Sequence, residues 1–91
     1  MYTRQTVIKH RTGLHARPAS DFVNTAKGFN SKISIWRIGE DDDKVNAKSI
    51  IRLLSLGLGL DETVVVEAEG EDEVMSVDTL IALIDSGFGE L

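Results

Sequence analysis

Residues 12–29 of the chain read TGLHARPASDFVNTAKGF, and the reading of the fold turns on them. Thr12-Gly13 is a turn signal. Pro18 fits a helix only within its first turn, where the missing N–H has no intrahelical acceptor to lose. The spacing therefore predicts a helix that begins within two or three residues of His15. From Ala16 onward, Ala19, Phe22, Val23, Ala26 and Phe29 recur at steps of three, four and seven, which is one face of a helix. Gly28 is a natural stop.

Working outward, Thr3 to Lys9 contains the β-favouring run Thr6, Val7 and Ile8 and predicts a strand before that turn. Lys32 to Ile38 alternates, with Ile33 and Ile35 on one face and Ser34 and Trp36 on the other, as a half-buried strand does. This places Trp36 on the face expected to be wet. Gly39 to Asp43 is a polar hairpin tip and Lys44 to Asn46 a short returning strand. Ser49 is a good N-cap for a short helix carrying Ile50, Ile51, Leu53 and Leu54, ended by Gly57 and Gly59. Thr63 to Glu69 is a strand with Val64, Val66 and Ala68 facing one way. Gly70 turns the chain into a last helix, from about Asp72 to Asp85, whose buried stripe is Val77, Leu80, Ile81 and Ile84; Gly87 ends it. The order β-α-β-β-α-β-α, with one sheet face wet, predicts a two-layer α+β sandwich.

Composition narrows the function. Ninety-one residues make a single domain, 1–91, with one modest core. The absence of cysteine excludes a disulfide scaffold and thiolate metal sites. Ten basic against fifteen acidic residues, a net charge of −5, argues against nucleic acid as a partner. Met1 to Lys9 lacks the apolar core of a secretory signal. The longest apolar-rich stretch, Ile50 to Leu60, is interrupted by Arg52, Ser55, Gly57 and Gly59 and falls short of the roughly 20 residues that insert into a bilayer. A soluble cytoplasmic protein, with no membrane insertion, is the expectation.

The chemistry concentrates in Thr12 to Pro18. A glycine turn presents a histidine at a helix entrance. The first N–H groups of a helix have no internal partners, and the positive end of the macrodipole lies behind them. Arg17 adds a planar, permanently charged donor suited to phosphate oxygens. The combination is an anion site built around a nucleophile, His15, although a lone histidine can also serve as an ordinary cap. Metal chemistry is poorly supported, because His10 is the other histidine and no thiolate exists. The sequence announces no hydrolase triad, and Gly57-Leu58-Gly59 lacks the third glycine of a dinucleotide site.

Gly13-Leu14-His15-Ala16-Arg17-Pro18-Ala19 resembles the active-site signature of HPr, the histidine-containing phosphocarrier family of the bacterial phosphoenolpyruvate:sugar phosphotransferase system. Asn46-Ala47-Lys48-Ser49-Ile50, followed by Leu56-Gly57, resembles its second signature. Ala26-Lys27-Gly28-Phe29, Thr63-Val64-Val65 and Glu69-Gly70-Glu71-Asp72-Glu73 extend the likeness over nearly the whole chain. The resemblance implies an open-faced sandwich, a four-stranded antiparallel sheet covered on one face by three helices. It implies a phosphoryl carrier rather than an enzyme. Nδ1 of His15 would accept the group from phosphorylated Enzyme I and pass it to sugar-specific Enzyme IIA domains. Arg17, Thr12 and the backbone N–H of Ala16 would hold it, with no cofactor and no metal. A monomer is expected.

The resemblance also implies a regulatory role for Ser49, which HPr kinase/phosphorylase modifies in many low-GC Gram-positive members, allowing binding to a catabolite repressor. Enteric members keep the serine without that kinase, and Ser49 as a plain N-cap is the competing reading. Arg52 stands where kinase-regulated members often have glycine and enteric ones lysine. By the same resemblance Ile51 and Leu54 map to docking positions, as does Ser20, where members often carry alanine or threonine. Asn24, Lys27 and Arg52 would form a polar, basic rim. A short helix cannot turn Ile50, Ile51, Leu53 and Leu54 all inward, so apolar exposure is expected there. The alternative function is a mainly regulatory HPr-like protein, acting through Ser49 or in a nitrogen-related branch. The best-known regulatory paralogue lacks the histidine that this chain has. An unrelated α+β interaction module is a third possibility. The hairpin Gly39 to Asp43 is about three residues longer than usual for the family, and His10-Arg11 stand where many members have small or acidic residues.

Overall fold

A computed structural model describes residues Met1–Glu90. Its regular elements are β1 (Tyr2–Val7), α1 (Ala16–Lys27), β2 (Lys32–Arg37), β3 (Val45–Asn46), α2 (Ile50–Ser55), β4 (Thr63–Glu69) and α3 (Glu73–Asp85). Single 3-10 turns at Asp41–Asp43 and Gly87–Gly89, which periodicity does not announce, complete the chain. The strands form one antiparallel sheet in the order β1-β4-β2-β3. The expected architecture and element order are both present, with boundaries differing by one or two residues.

Central β4 explains the layering. Val64, Val66 and Ala68 point to the helices and are all but inaccessible, beside Ile33 and Ile35 of β2. Against them pack Phe22, Val23 and Ala26 of α1 and Val77, Leu80, Ile81 and Ile84 of α3. Edge strand β1 meets the helix layer differently. Its helix-facing residues are Tyr2, Arg4 and Thr6, and α3 answers with carboxylates: Asp78 accepts from the Tyr2 hydroxyl and from Arg4, each at 2.9 Å, and Asp85 accepts from Thr6.

Trp36 departs from expectation. It lies on the face away from the helices yet is only 4% exposed. Its cross-strand neighbour Val65 covers one side, and the Lys44 ammonium sits 4.3 Å from the ring centroid while pairing with Glu67 at 3.6 Å. A long basic side chain lying over an aromatic face shields it from water and gains a cation–π contact. Alternation assigns Trp36 to the correct face, but it cannot see this cover.

Two polar anchors hold the loops. Asp72, at the N-cap of α3, accepts from the backbone of Asn30 and Ser31, each at 2.9 Å, and from the Ser31 hydroxyl. Those donors, the Ser31 hydroxyl foremost, hold its carboxyl below the usual range. The approach is close enough that a Cβ on Gly70 would stand 2.6 Å from Ser31 Oγ and 2.8 Å from its Cα. The second anchor is Arg37, which donates to Glu62 at 2.5 and 3.1 Å, to Glu40 at 3.0 Å and to the carbonyls of Leu56 and Gly57 at 2.9 and 3.3 Å. Glu62 also accepts from the Gly59 amide at 2.6 Å. One guanidinium thereby joins the end of β2, the hairpin, the end of α2 and the loop into β4.

Arg37 first, and then the Gly59 amide, lower the Glu62 carboxyl pKa from its ordinary 4.5. A depressed acid stabilises the fold fully above its unfolded value, and that contribution fades as pH falls through the folded value. Glu62→Gln is expected to cost about 1–2 kcal/mol at pH 7, discounted for partial exposure. In urea unfolding the gap to the unsubstituted chain should shrink below about pH 4.5. A gap that stays constant down to pH 3 would exclude this electrostatic account.

Candidate functional site

The turn before α1 is fastened to the loop between α2 and β4. The Leu14 amide donates to the Leu58 carbonyl at 2.9 Å, and the Gly13 amide donates to the His10 carbonyl at 2.9 Å. Gly13 has φ +73°, and a Cβ there would lie 2.3 Å from the Leu58 oxygen and 2.7 Å from Gly59 Cα. Only glycine combines that backbone angle with that approach. Leu14 and Leu58 are both inside the core, so the turn hangs from two buried leucines.

This fastening sets the pose of the next residue. His15 is the N-cap of α1, extended at φ −130° and ψ 163°, and its side chain makes no capping hydrogen bond. The half-exposed imidazole is therefore free for chemistry. Ala16 has φ +51°, a left-handed angle that costs a non-glycine residue roughly 1–2 kcal/mol. Strained backbone of this kind persists where surrounding structure over-determines it. Here the flanking anchors are buried: Leu14 before it and Pro18 and Ala19 after it. Pro18 has no N–H, so Ala16 and Arg17 supply the unpaired amides at this helix end. Arg17 is exposed and has no ion-pair partner among the described residues.

The remaining candidate residues separate into three places. Ser20, Asn24 and Lys27 of α1 line a shallow groove of about 150 Å³ with Val23 and Ile50, where α1 meets α2. Ile51 is 77% exposed and Leu54 42% exposed, whereas Leu53 is fully buried, so the short helix does present apolar surface. Arg52 lies on another side, in a hollow of about 380 Å³ that it shares with Arg37, Asp42, Asp43 and Ser55. Thr12 belongs to a third hollow of about 470 Å³ with Lys9, His10, Arg11 and Glu90. Ser49 caps α2, its Oγ accepting from the Arg52 amide at 3.3 Å.

Sequence reasoning missed the roles of four residues. His10 stands beyond β1 in the turn and holds Thr12: its Nδ1 lies 2.9 Å from the Thr12 hydroxyl and 3.2 Å from the Thr12 amide. The 3-10 turn brings Asp42 and Asp43 beside Arg52. Leu60, 46% exposed, adds apolar surface to the loop. These are long-range placements that no local period encodes. Charge is also sorted. Arg4, Lys9, Arg37 and Lys44 are paired with carboxylates, while Arg11, Arg17, Lys27, Lys32, Lys48 and Arg52 have no ion-pair partner among the described residues. No cluster of metal-ligating side chains and no helix long and apolar enough to cross a membrane occurs among them either.

Comparison with known proteins gives a consistent answer. The family profile described as PTS HPr component phosphorylation site matches residues 2–86. The chain is 45% identical over 85 residues to the HPr-like protein Crh of Halalkalibacterium halodurans, covering 93% of this chain and 98% of that protein. It is 39% identical over 90 residues to the phosphocarrier protein HPr of Cupriavidus necator, covering 99% and 98%. Among solved structures, HPr-C-His from Thermoanaerobacter tengcongensis superposes with a TM-score of 0.92 at 46% identity, covering 100% of this chain and 99% of that one.

The turn itself is open to test. Gly13→Ala should lower stability by about 2–4 kcal/mol in chemical denaturation, combining the left-handed penalty with overpacking against Leu58. Amide resonances of Leu14 and His15 should shift more than those of α3. A loss below 1 kcal/mol would mean that the turn is not fastened as described.

Proposed function

The chain belongs to the HPr family of phosphocarrier proteins, and on that premise we propose that it carries a phosphoryl group on His15 from phosphorylated Enzyme I to sugar-specific Enzyme IIA domains. The observation that carries this reading is the uncapped, half-exposed imidazole of His15 at the N-terminus of α1, next to unpaired Arg17. The lone pair of Nδ1 attacks phosphorus and forms a P–N bond as the bond from phosphorus to the donor breaks. The transferred group keeps its charged oxygens throughout. Arg17 donates to those oxygens, helped by the Ala16 amide, by the positive end of the helix and by Thr12. Transfer onward reverses the geometry, with Nδ1 as the leaving group. The chain would be a carrier and not an enzyme, its phosphohistidine a transient station between larger proteins.

The surface supports the same reading. Ile51 and Leu54 give an apolar contact, Ser20, Asn24 and Lys27 give polar and basic surroundings along the α1–α2 groove, and Arg52 adds a cation from its own hollow on another side. A patch of this size suits brief encounters, which rest on small interfaces.

A second reading rests on the 45% identity to an HPr-like protein named Crh. In that reading Ser49 is phosphorylated by HPr kinase/phosphorylase, and the product engages a catabolite repressor. A phosphate at the start of α2 would face its free amides and would add negative charge beside Arg52.

Incubation with phosphoenolpyruvate and Enzyme I should add one phosphate that is acid-labile and base-stable, read by mass spectrometry. His15→Ala should abolish it; retention of the phosphate would place the acceptor elsewhere. Arg17→Ala should slow transfer about 10- to 100-fold, the loss of a charge-assisted hydrogen bond. With ATP and HPr kinase/phosphorylase, an acid-stable phosphate lost in Ser49→Ala supports the regulatory reading, and no incorporation removes it.

A further inference from the structure

We propose that His10 is a positioning residue for the phosphoryl group on His15: Glu90 selects the tautomer of His10, and His10 holds Thr12. The proposal rests on the phosphocarrier reading above and adds a role for a residue outside both sequence signatures.

The argument is one of donors and acceptors. A neutral imidazole has one N–H and one bare nitrogen. Nε2 of His10 lies 3.3 Å from a carboxylate oxygen of Glu90, which can only accept. The proton therefore belongs on Nε2. Nδ1 is then bare, and two donors of Thr12 converge on it, the amide at 3.2 Å and the hydroxyl at 2.9 Å. The other neutral tautomer would set Nδ1–H against the Thr12 amide and a bare Nε2 against Glu90. A single tautomer satisfies all three contacts.

The ring is also held in place. Its side chain is only 11% exposed, and it meets Phe88 edge to face, with centroids 6.3 Å apart and planes at 76°. Phe88 is buried and takes φ +58° within the 3-10 turn after α3. The C-terminal segment thus reaches under the phosphoryl-bearing turn and presses His10 against it. Lys9 and Arg11 line the same hollow, and Lys9 pairs with Asp85 of α3 at 3.8 Å. The chain Glu90–His10–Thr12 fixes the place of Thr12 Oγ1. On the proposed function, in which Thr12 helps to hold the phosphoryl group, the hydroxyl proton would turn toward a phosphoryl oxygen while the amide contact to Nδ1 keeps the residue in register.

The test reads the lifetime of phosphorylated His15 together with the state of the His10 ring. Phosphorylated protein is prepared with phosphoenolpyruvate and Enzyme I, and its decay is followed by mass spectrometry. His10→Ala and Thr12→Val should each change the decay rate by about two- to tenfold, the worth of one ordinary hydrogen bond. The double variant should decay like Thr12→Val alone, because His10 acts through Thr12. His10→Asn should restore the rate, since an asparagine oxygen two residues back accepts from the same amide. Nitrogen-15 NMR should show His10 protonated at Nε2 alone, and Glu90→Gln should mix the tautomers.

A His10→Ala decay equal to that of the unsubstituted chain would overturn the proposal. So would a multiplicative double variant, or a ring protonated at Nδ1 alone. Failure of the unsubstituted chain to take phosphate on His15 would instead overturn the phosphocarrier reading, and this proposal with it.

Discussion

The contact between the Gly13–Leu14 backbone and the Leu58–Gly59 backbone is the constraint on which the rest of the site depends. It is a hydrogen bond of 2.9 Å beside an approach that admits no Cβ. From it follow the entry of Leu14 into the core, the extended pose of His15 and the left-handed angle at Ala16. The loop that receives the turn is itself braced. Ile8 exchanges backbone hydrogen bonds with Asp61 and Glu62, Glu62 holds the Gly59 amide, and Arg37 grips Glu62 and the end of α2. His15, on a short exposed turn, is thus set by contacts from the segment after β1, the loop before β4, the last residue of β2 and the end of α2. Rigid support of this kind lets a surface group keep its geometry without a deep pocket.

The distribution of charge divides the molecule by task. Basic side chains that secure the fold are matched with acids, as in Arg4–Asp78 and Arg37–Glu62. Those on the α1–α2 side and the turn have no such partners among the described residues, and they can answer an incoming anion or acidic surface. A net charge of −5 therefore describes the average and conceals the working side. Unpaired charges near an apolar patch govern encounter rate and orientation more than affinity, which suits a carrier that must also leave.

Much of this was legible in the sequence, for identifiable reasons. The α1 stripe, the alternation of β2 and the Ser49 cap are local patterns, and local periods survive folding. Pro18 located the helix start because its missing N–H permits few positions. Apolar exposure on α2 was readable because a six-residue helix has too little inward face for four large apolar residues, and the family resemblance singled out Ile51 and Leu54. What escaped depends on partners far along the chain. Trp36 is covered by Val65 and Lys44, His10 is set by Glu90 eighty positions away, and Arg37 works through Glu62. Each is a single side-chain contact with no repeating signature. The 3-10 turn at Asp41–Asp43 escaped because a polar run between glycine and lysine fits many loop shapes.

The burial of Trp36 has an optical consequence. It is the only tryptophan in the chain, and it lies on the opposite side of the sheet from α1 and the His15 turn. Its emission is governed by the cross-strand cover of Val65 and Lys44, and so by the seating of the β2–β3 hairpin. The protein carries an intrinsic fluorophore that monitors the integrity of the sheet, on the side of it away from the His15 turn.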